Sequence, residues 1–420
     1  MQDAKSNNLV KPKVTKLYPK SLIICLIFFG LIFFELYSHG SYMEEILGII
    51  SIVLILLSVK RLTSRDIFTV SLMGLVIIIG LLANYLYELG YSVFSVLVDV
   101  LTQIKLPMVF YAIRYSLTEK EKREAINMLV PIAKLFIISA FLCAVISQFV
   151  DIGMTSGKRY GLPQFSFIFY FNHTYTSVIF LFFGVIVCTD KISQKLKRFY
   201  YIIGIVAILA SLKSPALVFS VTFVFLSLYL KRYQKVSLKI VIPLIVVLIY
   251  ISGYQLDTYL LNTNAPRRLF IDYAIRTAND YFPLGSGFGT YGSAEAAKHY
   301  SSLYYTYGFD KVWGMSPAYG PFLADTYWPT ILAQFGWFGF AFYIIAYIQI
   351  FITLKNSKAN NERKALLYGI FIQYMVHALG AAILSNSAGM IGFMAMALFA
   401  IPDFEKDKQK RNRRFKIKLR

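Results

Sequence analysis

Three arginines, Arg267, Arg268 and Arg276, fall within ten positions, and a glycine-rich turn, PLGSGFGTYGS (283–293), follows them. Guanidinium forks match pairs of oxygens on phosphate or carboxylate. Glycines let a backbone come close to a ligand and turn its N–H groups toward an anion. The combination suits an anionic ligand, with Gly285, Gly287 and Gly289 as the close-approach positions. Gly287, Gly289 and Gly292 also spell the dinucleotide fingerprint G-x-G-x-x-G. That fingerprint works only between a strand and a helix of a βαβ unit. Here Pro283 precedes the run and the flanks are irregular and rich in Tyr, so a nucleotide is not expected. A flexible turn in a long loop is the plainer alternative. The stretch LFIDYAIRTANDYFP (269–283) reads as a helix, on which Asp272 stands four residues from both Arg268 and Arg276. A salt-bridged surface helix is therefore the competing account of those arginines.

Two more cationic spots accompany this segment: Lys213 in SLKSPAL, and Lys158 with Arg159 in SGKRYGLPQF. Each either snorkels to headgroups or faces an anionic ligand. Asp325, in LADTYWPTILAQFGWFGF, is either a helix N-cap or a general base. His299, in AAKHYSSLYY, is a surface histidine or a second proton carrier. His173 and His377 read as satisfied polar groups inside a helical bundle.

The elements that must hold these groups are apolar. Only 15% of the 420 residues are charged and 57% are hydrophobic, whereas soluble domains carry about a quarter charged residues. Twelve apolar runs approach the ~20 residues a membrane helix needs: about 21–38, 43–59, 67–87, 92–113, 128–150, 166–188, 199–212, 214–230, 240–254, 326–354, 366–386 and 388–402. The expected fold is an all-α integral membrane protein of about twelve transmembrane helices. Its parts are an N-tail (1–20), spans one to nine (21–254), a large loop (255–325), spans ten to twelve (326–402) and a basic C-tail (403–420). With the N-terminus inside, 33 of the 43 lysines and arginines fall on the cytoplasmic side and 8 on the outer side, with Lys105 and Lys134 inside spans. Cytoplasmic loops carry the basic excess, so both termini are expected inside and the large loop outside. This distribution, rather than a nucleic acid partner, accounts for the net charge of +21. Cys25, Cys143 and Cys188 all lie in apolar runs without metal spacing.

This arrangement resembles the O-antigen polymerase and O-antigen ligase superfamily, which includes capsule and exopolysaccharide polymerases. An arginine followed by PLGSGFGTYG is similar to that family's Arg-led helix and glycine turn, and DTYWPTILAQFGWFG to the segment opening its next span. The resemblance implies glycosyl transfer on the outer face of a bacterial cytoplasmic (inner) membrane, with an oligosaccharide on undecaprenyl diphosphate as donor. No cofactor, metal or nucleotide is implied. Arg268, or its neighbour Arg267, matches the arginine that meets the diphosphate; Arg276, Lys213 and Arg159 complete the expected cation set. Pro215 stands where the family carries an arginine, and Lys213 is the cation available in its place. Asp325 and His299 are the expected proton carriers. Asp325 falls near where ligases carry a histidine, which favours a polymerase. The implied partners are the lipid-linked oligosaccharide, the bilayer, a flippase and a chain-length regulator. An O-antigen ligase acting on a lipid A core is the nearest alternative. A transporter or flippase for lipid-linked sugar is the alternative of another class. It would line a central cavity with charges within many spans, whereas most spans here are free of charge; Glu35, Glu44, Glu45, Asp99, Lys105 and Lys134 are the exceptions and show no evident pairing by spacing.

Overall fold

Long apolar runs must satisfy their own backbone groups, and the α-helix does so within one segment. The computed structural model describes residues 18–37, 43–233 and 265–401 and is accordingly mostly helical. The helices are α1 (Pro19–Tyr37), α2 (Met43–Leu57), α3 (Ser64–Tyr87), α4 (Val93–Ser116), α5 (Glu119–Ile146), α6 (Asn172–Cys188), α7 (Gln194–Leu209) and α8 (Ser214–Tyr233). After the undescribed stretch come α9 (Pro266–Asp280), the short α10 (Ala294–Lys298) and α11 (Ser302–Thr306), then α12 (Trp328–Lys355), α13 (Asn361–His377) and α14 (Ser387–Phe399). Among the described residues a helix runs within each expected span, although the run 366–386 is α-helical only as far as His377. The run 240–254, residues 1–17, the C-tail 403–420 and the start of the large loop lie outside them.

Among the described residues six helices, α1, α3, α4, α5, α8 and α12, are long and apolar enough to cross a membrane. Their outer faces carry exposed Leu26, Ile78, Leu97, Leu135 and Leu228, a surface that suits lipid and would be a liability in water. The chain is a helical membrane protein. α6 and α14 are shorter, at 17 and 13 residues, and nearly every residue of both is buried. They form the centre of the bundle, where α6 meets α5 and α14 while α14 also meets α4.

Several charges inside the apolar segments are partnered. Lys105 on α4 pairs with Glu44 at 2.8 Å and Glu45 at 2.9 Å, both on α2. Glu35 accepts hydrogen bonds from Thr174 (2.6 Å) and Ser387, tying α1 to α6 and α14. The pairing that spacing left unseen is present for Glu35, Glu44, Glu45 and Lys105, though not, among the described residues, for Lys134: it runs between helices far apart in sequence, where spacing along one helix cannot reveal it. Burial of an unpaired charge would be far costlier than these crossed pairs.

Two further expectations are revised. The run 166–188 becomes helical only at Asn172, because residues 166–171 form turns that follow a small antiparallel β-hairpin. That hairpin, β1 (Thr155–Arg159) with β2 (Leu162–Phe165), departs from a purely α fold. It turns at Tyr160 and Gly161, both with positive φ, as a tight hairpin turn requires. The described part of the large loop is a folded unit. From Pro266 onward it folds over its own core of Phe270, Tyr291, Tyr304, Phe309, Met315 and Leu323.

Candidate functional site

Arg267 sits in the first turn of α9, which begins at Pro266, a residue suited to the first helical position. It meets Asp325, which immediately precedes the entry to α12. The Arg267 Nε donates to Asp325 Oδ2 at 2.8 Å and its Nη2 donates to the same oxygen. Asp325 is not the N-cap of α12; that position is Tyr327, whose side chain makes no capping bond. Its Oδ2 is engaged by the arginine instead.

Lys213 comes from the turn between α7 and α8. Leu212 there has φ of 51°, and the Lys213 carbonyl accepts from Ala216 and Leu217 at 3.0 and 3.2 Å. The backbone of Lys213 starts α8, so its side chain is left to point elsewhere. It lines a cavity of about 1150 Å³ together with Arg159, Arg267, Asp325, His173 and His377. These residues come from β1, the α7–α8 turn, α9, the approach to α12, α6 and α13. All the helical contributions lie at one end of the bundle: the start of α6, the start of α8 and the end of α13. Ile152, Ile168, Tyr170 and Leu379 supply an exposed apolar rim.

The electrostatics of the cavity follow from crowding. Burial holds the Lys213 ammonium below the usual lysine value; the fields of Arg159 and Arg267 push the same way and Asp325 opposes them. Burial raises the Asp325 carboxyl above the usual carboxylate value, and outweighs the opposing pull of Arg267 and Lys213. Each shift records a charge that water solvates poorly. Among the described residues, Lys213 and Arg159 make no ion pair with a carboxylate. Three cations face one carboxylate, and that imbalance is suited to receive an anion.

Arg268 and Arg276 point away. Arg268 pairs with Asp272 at 2.9 Å and its side chain is 40% exposed, against 20% for Arg267. Arg276 pairs with Asp280 at 3.4 Å and lies over the rings of Tyr273 and Tyr307. Asp272 therefore serves one arginine, not two. His299 does not line the cavity; its ring stacks on Tyr91 at 3.8 Å and its Nε2 lies 3.5 Å from Glu295. His173 and His377, read from sequence as satisfied bundle groups, are among the lining residues. Their positions at helix ends, within a turn of polar segments, were the signal for this.

The glycine turn also lies outside the cavity lining. Gly336 breaks α12 with φ of 60° and ψ of −171°, which frees the carbonyls of Ala333 and Gln334 from helical bonding. Ser286 and Gly287 donate to those carbonyls at 2.9 Å each. Phe288 donates to Asn84 Oδ1 and accepts from Asn84 Nδ2, both at 2.8 Å. Gly289 donates to the buried Asp99 at 2.6 Å, which also accepts from Gln334 at 2.8 Å. The turn's N–H groups are thus consumed by the protein itself, and the reading of Gly285, Gly287 and Gly289 as an anion cradle is corrected. Their freedom serves close packing: a Cβ on Gly285 would stand 2.6 Å from the Gln334 oxygen, and one on Gly287 2.7 Å from Asn84 Cγ.

No protein-family model matches this sequence, and no curated protein matches it either.

Proposed function

We propose that the protein is a polysaccharide polymerase. It transfers a growing glycan from undecaprenyl diphosphate to a sugar hydroxyl of another lipid-linked repeat unit, on the outer face of a bacterial cytoplasmic membrane. The observation that carries this reading is the convergence of Arg267, Lys213, Arg159 and Asp325 on one cavity with an apolar rim. A lipid-linked donor has that composition: a concentrated anion between a sugar and a hydrocarbon chain.

In the proposed reaction the acceptor oxygen forms a bond to the anomeric carbon. The bond from that carbon to the diphosphate oxygen breaks, and its electron pair leaves with the diphosphate. Negative charge grows on the leaving group, and cations already in position stabilise it without reorganising. The acceptor hydroxyl's proton passes to Asp325, whose raised carboxyl is closer to neutral pH than an ordinary one. Arg267 holds that carboxylate in place and faces the anion as well. The rim receives the polyprenyl chain, so the lipid need not leave the bilayer.

The finer topology belongs to the same proposal: twelve spans, both termini cytoplasmic, and the folded segment around α9 outside. The distribution of basic residues supports it. So does the opposite end of the bundle, where Arg363, near the start of α13, donates to the Cys188 carbonyl ending α6 at 2.7 Å. Reconstitution in liposomes with lipid-linked repeat units tests the function. Longer glycans with release of lipid diphosphate are expected. Transbilayer movement of the repeat unit without elongation would favour the flippase, and label moving to an added lipid A core would favour the ligase.

A further inference from the structure

The small hairpin that breaks the helical pattern carries a second consequence for the same cavity. Its two basic residues are neighbours with opposite placement: Lys158 is exposed, whereas Arg159 lines the cavity. Their separation follows from the alternation of side chains along a strand. The hairpin is fixed on two sides. Ser156 Oγ donates to Asn172 Oδ1 at 2.6 Å, which joins β1 to the start of α6. Phe165 N donates to the Ala210 carbonyl at 3.0 Å, which joins β2 to the turn that carries Lys213. The Phe165 ring also meets Tyr175 at 5.3 Å, and Tyr175 in turn donates to the Ala207 carbonyl at 2.8 Å. Arg159 and Lys213 are therefore held in one frame.

Charge then decides what the frame selects. Arg267 is offset by Asp325. Arg159 and Lys213 have no such carboxylate among the described residues, although Arg159 also lies over the Tyr160 ring at 5.2 Å. Two positive charges remain to be matched. We propose that Arg159 is a specificity-determining residue that selects donors whose sugar is joined to lipid through a doubly charged diphosphate over those joined through a singly charged phosphodiester. This rests on the polymerase reading of the cavity and adds to it the residue that discriminates between two kinds of lipid-linked sugar. A singly charged linkage leaves one cation desolvated and unmatched; a doubly charged one satisfies both, and the guanidinium fork can meet the second phosphate with two oxygens.

The test is a pair of synthetic probes, one sugar joined to farnesyl diphosphate and the same sugar joined to farnesyl phosphate, titrated against the full chain in nanodiscs. The wild type is expected to prefer the diphosphate probe by about tenfold or more, the scale of one well-placed charge-assisted contact. Arg159→Ala is expected to lose most of that preference by weakening only the diphosphate probe. Arg159→Lys is expected to keep the preference, because it keeps the charge, and Lys158→Ala to match the wild type. If Arg159→Ala weakens both probes equally, or Lys158→Ala has the same effect, Arg159 does not discriminate and the cavity reading survives. If the wild type binds neither probe, both the inference and that reading fail.

Discussion

Arg267 and Arg268 are adjacent in sequence, and the structure gives them different work. Replacing Arg267 by Ala removes one of the cavity's two guanidinium groups and leaves Asp325 partly buried without that partner. Loss of one positioned donor to a developing anion costs about 10²–10³ in rate. The variant is therefore expected to elongate glycan roughly a hundredfold more slowly. Replacing Arg268 by Ala removes an exposed i,i+4 pair with Asp272. Such pairs contribute about 0–1 kcal/mol, equivalent to less than about fivefold in any equilibrium. The assay is initial-rate elongation of lipid-linked repeat units by purified protein in nanodiscs, resolved by glycan length on gels. Thermal unfolding of each variant in the same nanodiscs separates lost chemistry from lost fold. Arg267→Lys keeps the charge without the fork and is expected to fall between wild type and Arg267→Ala. Equal damage from the two alanine variants, or wild-type rates for Arg267→Ala, would refute the reasoning.

The pH profile offers a second check. Asp325 must be unprotonated to accept a proton, and its carboxyl is raised, so the acid limb of kcat/KM is expected above the usual carboxylate range. Lys213 must be charged, and its ammonium is lowered, so the alkaline limb is expected below the usual lysine value. Bound anion favours the charged lysine, and the alkaline limb of kcat should accordingly lie higher than that of kcat/KM; coincident limbs would argue against contact. Asn84→Ala removes both hydrogen bonds to Phe288 and should destabilise the protein by about 1–3 kcal/mol, measured as a lower thermal midpoint. Probe affinity of the folded protein should be unchanged. Lost affinity at unchanged stability would return the glycine turn to the role of anion cradle.

The helices were legible because long apolar runs identify themselves without reference to partners. α1, α3 and α12 begin and end within a few residues of the expected spans. The kinds of group in the site were legible too, since Lys213, Arg159 and Asp325 are unusual where they stand. Which arginine faces inward was not. Successive helical residues differ by about 100° in direction, so only the packing of α9 against α12 separates Arg267 from Arg268. The glycine turn shows the same limit in another form. Its acceptors, Asn84 and Asp99, lie 204 and 190 residues from Phe288 and Gly289, and no local pattern reports them. His173 and His377 stand at helix ends, but the cavity there exists only once α6, α8 and α13 are assembled.

The most direct measurement is a structure of the full chain with a lipid-diphosphate-linked sugar bound. The diphosphate is expected between Arg267, Lys213 and Arg159, with the lipid chain crossing the rim of Ile168 and Leu379. A diphosphate seated on the glycine turn, or on the Arg268 and Arg276 face of α9, would contradict the site proposed for this protein.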